Sequence, residues 1–146
     1  MLGKLFGKKV AAAKAEAKKF ENRDLMEAYV GGCVAVMYAD GSVEDEELQN
    51  LEAQIAANPS MDGYGSEINQ TIAKFSSMFD AGPRMGMLKV MREIADIKAS
   101  KEEAEEVFVA MLTTAESDGD ICDKELAVLK KVGQTLGINL RDYDLE

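Results

Sequence analysis

The chain has 146 residues, enough for one domain around one core. It is 47% hydrophobic and 30% charged, a globular rather than a disordered composition, and no apolar run reaches the roughly 18 residues that span a bilayer. It contains no histidine and two cysteines without CxxC spacing, which removes Ser-His-Asp and Cys-His catalysis, histidine metal ligation and a zinc-binding or redox cysteine pair.

The net charge of −10 is polarised. Residues 1–23 hold seven basic side chains against Glu16 and Glu21, a net of +5, so the remainder carries −15. A body this acidic repels nucleic-acid phosphates and attracts divalent cations and basic partners. The N-terminus shows no uninterrupted apolar stretch with a cleavage site, so a cytoplasmic location is expected.

In chain order, residues 2–20 place Leu2, Phe6, Val10, Ala13, Ala17 and Phe20 at helical spacing opposite six lysines. This basic amphipathic segment, residues 1–21, is expected to stand apart from the domain at 22–146. It suits either peripheral contact with an anionic membrane, through residues 1–20, or packing on the domain. Asp24 is positioned to cap the next helix, which carries Leu25, Met26, Tyr29, Val30, Cys33, Val34 and Met37 and ends at Gly41. A helix opening at Ser42 or Glu44 carries Leu48, Leu51 and Ile55 and stops at Asn58-Pro59.

Ser60–Gly65 reads as a turn, with Ser66 capping a helix that bears Ile68, Ile72, Phe75 and Phe79. After the break Asp80-Ala81-Gly82-Pro83, residues 84–98 form a helix with Met87, Leu88, Met91, Ile94 and Ala95 inward. Ser100 and Glu103 make a capping box for a helix carrying Ala104, Val107, Phe108, Met111, Leu112 and Ala115. The final helix bears Leu126, Leu129, Val132 and Leu136 and stops at Gly137, and Asn139–Glu146 adds one further turn. No segment alternates as a strand does. The expected fold is all-α, a single compact domain of about six to seven helices.

An acidic motif occurs twice. Asp40-Gly41-Ser42-Val43-Glu44-Asp45-Glu46-Glu47-Leu48 has its counterpart 78 residues on, in Asp118-Gly119-Asp120-Ile121-Cys122-Asp123-Lys124-Glu125-Leu126. Each copy lies between two helices, which predicts two pseudo-symmetric helix-turn-helix pairs. Carboxylates gathered at such a bend are how proteins hold hard cations. Acidic residues in a first helical turn also follow from the helix dipole alone, so a metal-free helical interaction domain stays open. An EF-hand fits only in its second half. Gly41, Val43 and Glu47, like Gly119, Ile121 and Glu125, occupy the sixth, eighth and twelfth loop positions, but Val36 and Tyr38, and Thr114 and Glu116, stand where the first and third ligands belong. A degenerate EF-hand-like calcium module is therefore a second alternative. An enzyme is a third class, since clustered carboxylates can hold a hydrolytic metal, but neither a nucleophile–base pair nor a phosphate loop accompanies them.

Tyr38-Ala39-Asp40-Gly41-Ser42-Val43-Glu44-Asp45-Glu46-Glu47-Leu48, Glu116-Ser117-Asp118-Gly119-Asp120-Ile121 and the ending Gly133-Gln134-Thr135-Leu136-Gly137-Ile138 together resemble the TerB family of tellurite-resistance proteins. The lysine-rich opening does so too, and the resemblance covers roughly residues 22–146. It implies a compact all-α fold related to the N-terminal domain of a membrane-anchored DnaJ-like chaperone. It implies a non-enzymatic role in resistance to tellurite and other stresses, including phage and colicin challenge. It also implies assembly with a membrane-protein partner and calcium-linked behaviour. By position, the residues implied for metal are Asp40, Glu44 and Glu47, with Asp118, Asp120, Asp123 and Glu125. Ser42 faces Asp120, so the copies are unequally acidic.

Oxygen-only donors favour Ca2+, or Mg2+ as the alternative, over zinc or copper. Each copy's carboxylates could close on one cation, or both copies could build one shared acidic surface. Cys33 is expected in the core, and Cys122 lies among carboxylates, an unfavourable setting for thiol chemistry.

Overall fold

The computed structural model describes residues 22–117 and 119–145. The basic segment 1–21, Asp118 and Glu146 lie outside the described residues. Among those described are six α-helices and no strand: α1 (Arg23–Met37), α2 (Asp45–Ala56), α3 (Ser66–Ala81), α4 (Pro83–Ile97), α5 (Lys101–Glu116) and α6 (Asp123–Leu136). Short 3-10 turns at Tyr38–Asp40, Pro59–Met61 and Leu140–Tyr143 extend or join them.

The centre of the molecule is α1. Eleven of its 15 residues are buried, as a helix apolar on every side must be. Its neighbours α3, α4 and α5 pack around it, and α6 closes one end. Met26, Val30, Val34 and Val36 are fully buried, each side chain contributing roughly 1.5–3 kcal/mol by leaving water. The helix between residues 84 and 98 buries Ile94 and packs Met87 and Met91 against the core as its sequence pattern predicts, but departs from that pattern at Leu88. Gly86, Val90, Ile94 and Ile97 are buried, whereas Leu88 is 45% exposed. The buried stripe runs through Gly86 because Phe79 of α3 fills the space beside it, where an added Cβ would meet the ring at 2.7 Å.

Two helix starts differ from expectation. The α1 cap position is Asn22, with Asp24 inside the first turn, and Gly65, not Ser66, precedes α3. Ser100 does cap α5, its Oγ accepting from the Glu103 N–H at 3.2 Å. Asn58 ends the α2 region as anticipated. Its side chain accepts from the Ser60 N–H at 2.9 Å and donates to the Tyr29 hydroxyl at 2.8 Å, joining that turn to α1. The C-terminal turn folds back on α5 through the Phe108 and Tyr143 rings, 5.1 Å apart and edge-on.

Candidate functional site

The two copies of the acidic motif build the same joint. Gly41 N–H donates to the Tyr38 carbonyl at 3.2 Å, and Gly119 N–H to the Glu116 carbonyl at 3.1 Å. Gly41 has φ 135° and Gly119 φ 117°, a region open essentially only to glycine, with nothing beside either Cα that would obstruct a side chain. Backbone conformation, not crowding, therefore demands glycine at both bends.

Each following helix then opens on a glutamate at its third position. Glu47 Oε1 accepts from the Glu44 N–H at 3.3 Å, and Glu125 Oε1 from the Cys122 N–H at 3.0 Å. These bonds supply partners for N–H groups that a helix start leaves without an intrahelical acceptor. The acidic residues Asp45, Glu46 and Glu47, and Asp123 and Glu125, sit where the helix dipole favours negative charge.

The surroundings of the copies differ. Tyr38 stacks on Phe79 with centroids 5.2 Å apart, and its hydroxyl hydrogen-bonds the buried Ser76. Burial raises the phenol's pKa, and the charge of Asp80 adds to that. The first bend is thereby pinned to α3. Its counterpart in the second copy is Glu116, which is exposed.

The bends meet. A cavity of about 230 Å³ is lined by Asp40 and Glu47 of the first copy and by Ser117 and Glu125 of the second. Thr114, from α5, forms part of its inner wall, with its hydroxyl donating to the Ala110 carbonyl at 3.0 Å. Asn50 and Gln54 add side-chain amides. These two follow Glu47 by three and seven residues, one face of α2, so the helical period already carried that signal. The cavity lining is thus drawn from α1, α2, α5 and α6 together.

The remaining residues marked in the sequence fall elsewhere. Glu44 is the cap position of α2 and Asp123 the first residue of α6, and neither lines this cavity. Asp120 lines a second groove, beside the C-terminal turn. Asp118 lies outside the described residues. Among the described residues, no group of three or more aspartate, glutamate or cysteine side chains stands close enough together to hold a metal ion. Asp40, Glu47 and Glu125 face one space without forming a ready-made coordination shell.

Cys33 is fully buried behind the cavity wall, and burial pushes its thiol up to about 12, a hydrogen bond with Thr114 opposing the shift. It is an inert core residue at neutral pH. Cys122 is half-buried at the cap position of α6. No helix among the described residues is long and apolar enough to cross a membrane.

Neither a curated protein nor a solved structure matches the chain. The family model described as tellurite resistance protein TerB matches residues 26–145, nearly all of the described domain and both acidic joints. The chain belongs to the TerB family of tellurite resistance proteins.

Proposed function

We propose that this protein is a non-enzymatic tellurite- and stress-resistance component whose two acidic joints act as one cation-responsive surface for assembly with partner proteins. The observation that carries the reading is the cavity shared by the joints, where Asp40 and Glu47 face Glu125 across the junction of the two helix pairs. A cation there would draw ligands from both copies rather than sit in either turn. The donors are carboxylates, amides and hydroxyls, a hard oxygen set that suits Ca2+, with Mg2+ as the alternative.

The chemistry of such a site is electrostatic. Glu47 and Glu125 already hold the starts of α2 and α6 through one oxygen each, which leaves each carboxylate a second oxygen with acceptor capacity. A cation between them would neutralise repulsion among carboxylates that folding brings together. Because the shell is incomplete as it stands, the affinity belongs in the weak range, a Kd of about 10⁻⁴–10⁻³ M. Binding would tie the α1–α2 joint to the α5–α6 joint and alter the acidic face that a basic partner meets. A cytoplasmic setting with a membrane-protein partner fits this reading, as does peripheral membrane contact through residues 1–20.

Calcium titration followed by NMR tests the proposal. Shifts should cluster at residues 40–54 and 114–125 in a single saturable phase, and the melting temperature should rise in millimolar calcium relative to chelator. Two independent phases, one per joint, would contradict the shared site. Unchanged spectra and unchanged melting in both calcium and magnesium would remove the cation altogether.

A further inference from the structure

The cation reading leaves two surfaces unexplained, and they complement each other. The first is a groove of about 520 Å³ between the end of α5, the Gly119 bend and the C-terminal turn. Its floor is apolar, with Ile121, Leu126, Tyr143 and Leu145 each half-buried. Its rim carries three exposed carboxylates, Glu116, Asp120 and Asp144. Across residues 112–126 and 139–145, seven carboxylates stand against Lys124 and Arg141. An apolar floor under an acidic rim suits an apolar stripe flanked by cations, and it repels acidic peptides and phosphates.

The second surface is the outer face of α4. Met85 is 53% exposed and Leu88 45%, and the two stand three residues apart, so they share one side of the helix. The core takes the other side, through Val90 and Ile94, and has no use for this pair. Arg84 and Arg92, both exposed, bracket the pair about 12 Å apart along the axis. Neither arginine forms an ion pair among the described residues. Residues 83–98 carry four cations against Glu93 and Asp96, a local excess of positive charge in a chain of net charge −10.

We propose that α4 of one copy of this chain docks in the groove of a second copy. Met85 and Leu88 would rest on Ile121, Leu126 and Leu145, with Arg84 and Arg92 over the carboxylate rim. Two anchors at i and i+3 are how a helix lies in an apolar groove. The groove and the α4 face share no residue, so the contact is head-to-tail. A pair joined this way keeps a free groove at one end and a free α4 face at the other, and assembly closes into a ring or runs on as an open chain. Two acidic chains repel at long range, but at physiological ionic strength the screening length is about 8 Å. That damps the net repulsion more than the contacts across the groove. The surfaces are small, so the association belongs to the weak, transient class. The inference does not rest on the cation reading, because neither surface shares a lining residue with the cavity at Asp40.

The test is sedimentation of the full chain in chelator at physiological ionic strength, from micromolar to millimolar protein, paired with methyl NMR. The average mass should rise with concentration, and the signals of Met85, Leu88, Ile121, Leu126 and Leu145 should shift together. Arg84→Glu with Arg92→Glu should weaken the association about tenfold or more, and so should Glu116→Lys with Asp120→Lys. Mixing the two variants should restore it, because the first keeps its groove and the second keeps its α4 face. Such rescue would also show that both variants are folded. A chain that stays monomeric at millimolar concentration overturns the proposal. So does a mixture that stays dissociated while each variant retains the wild-type helical circular dichroism. Association that survives charge reversal in the groove but not on α4 would indicate a symmetric α4 contact and overturn the groove's part. Shifts centred on residues 40–54 would put α4 against the other acidic cavity and overturn the assignment too.

Discussion

Among the described residues, Glu93 is the carboxyl group whose pKa departs most clearly from its ordinary value. It lies on α4, where burial, a hydrogen bond with Glu27 of α1 and the nearby charges of Glu27 and Asp96 raise its pKa to about 7. Lys74 of α3, 3.8 Å from Glu27, opposes the shift. The folded state therefore holds a proton that the unfolded chain releases near the ordinary value of 4.5. The resulting stabilisation is complete below that value and is lost as pH rises through about 7. The pair is partly solvated, so the effect is on the order of 1 kcal/mol. The melting temperature should fall by about 2–4 °C between pH 5 and pH 8. Glu93→Gln should flatten that slope, and melts at closely spaced pH values would show a retained slope if another group were responsible. Local sequence gives no hint of this pair, because Glu27 and Glu93 read as ordinary solvated positions on separate helices. Only the packing of α1 against α4 brings them together.

At the scale of the elements, local signals placed the breaks and most of the inward faces, since every apolar position read on α3 and α5 is buried. Asn58-Pro59, Gly82-Pro83 and Gly137 end or begin helices where their backbone chemistry requires. Asp24 is expected as the cap of α1, but the helix already begins at Arg23, so Asn22 takes the cap position without a side-chain cap bond and Asp24 falls in the first turn, where the helix dipole favours it. On α4 the expectation fails at Leu88, which is exposed, while the buried stripe includes Gly86, which carries no hydrophobic signal but is what Phe79 requires beside it. Gly41 belongs to the same scale. Its substitution by alanine meets no steric obstacle, so the whole cost lies in the backbone, about 1–3 kcal/mol. Chemical denaturation of Gly41→Ala should show that loss with an unchanged denaturant slope. Wild-type stability would mean that the bend adopts another conformation in solution.

For the molecule as a whole, the repeat predicted two joined helix pairs but not where their bends would lie. The all-α fold and both joints were legible in the sequence. The shared arrangement was legible as one of two possibilities, and only the packing of the helices brings Asp40, Glu47 and Glu125 to one cavity. Asp40, Glu47 and Glu125 were legible as acidic positions, while Asn50 and Gln54 became part of the site only when α2 turned that face inward. A shared cavity has an energetic signature. In calcium, Glu47→Gln and Glu125→Gln should each abolish most of the thermal shift, and the double substitution should remove little more. A coupling of about 0.5–3 kcal/mol is expected for residues acting on one ligand. Additive losses in this double-mutant cycle would instead assign the two glutamates to separate sites.

The reuse of Glu47 and Glu125 as helix caps has a consequence for the duplication itself. Two copies of a motif ordinarily provide a spare, so that one can decay while the other keeps the function. Here each copy furnishes only part of the wall of a single chamber, and the same glutamates hold the helices that shape it. Damage to either copy therefore damages the common structure, and neither half can drift without the other. The pair behaves as a lock of two interdependent leaves, in which repetition supplies matched parts and no insurance.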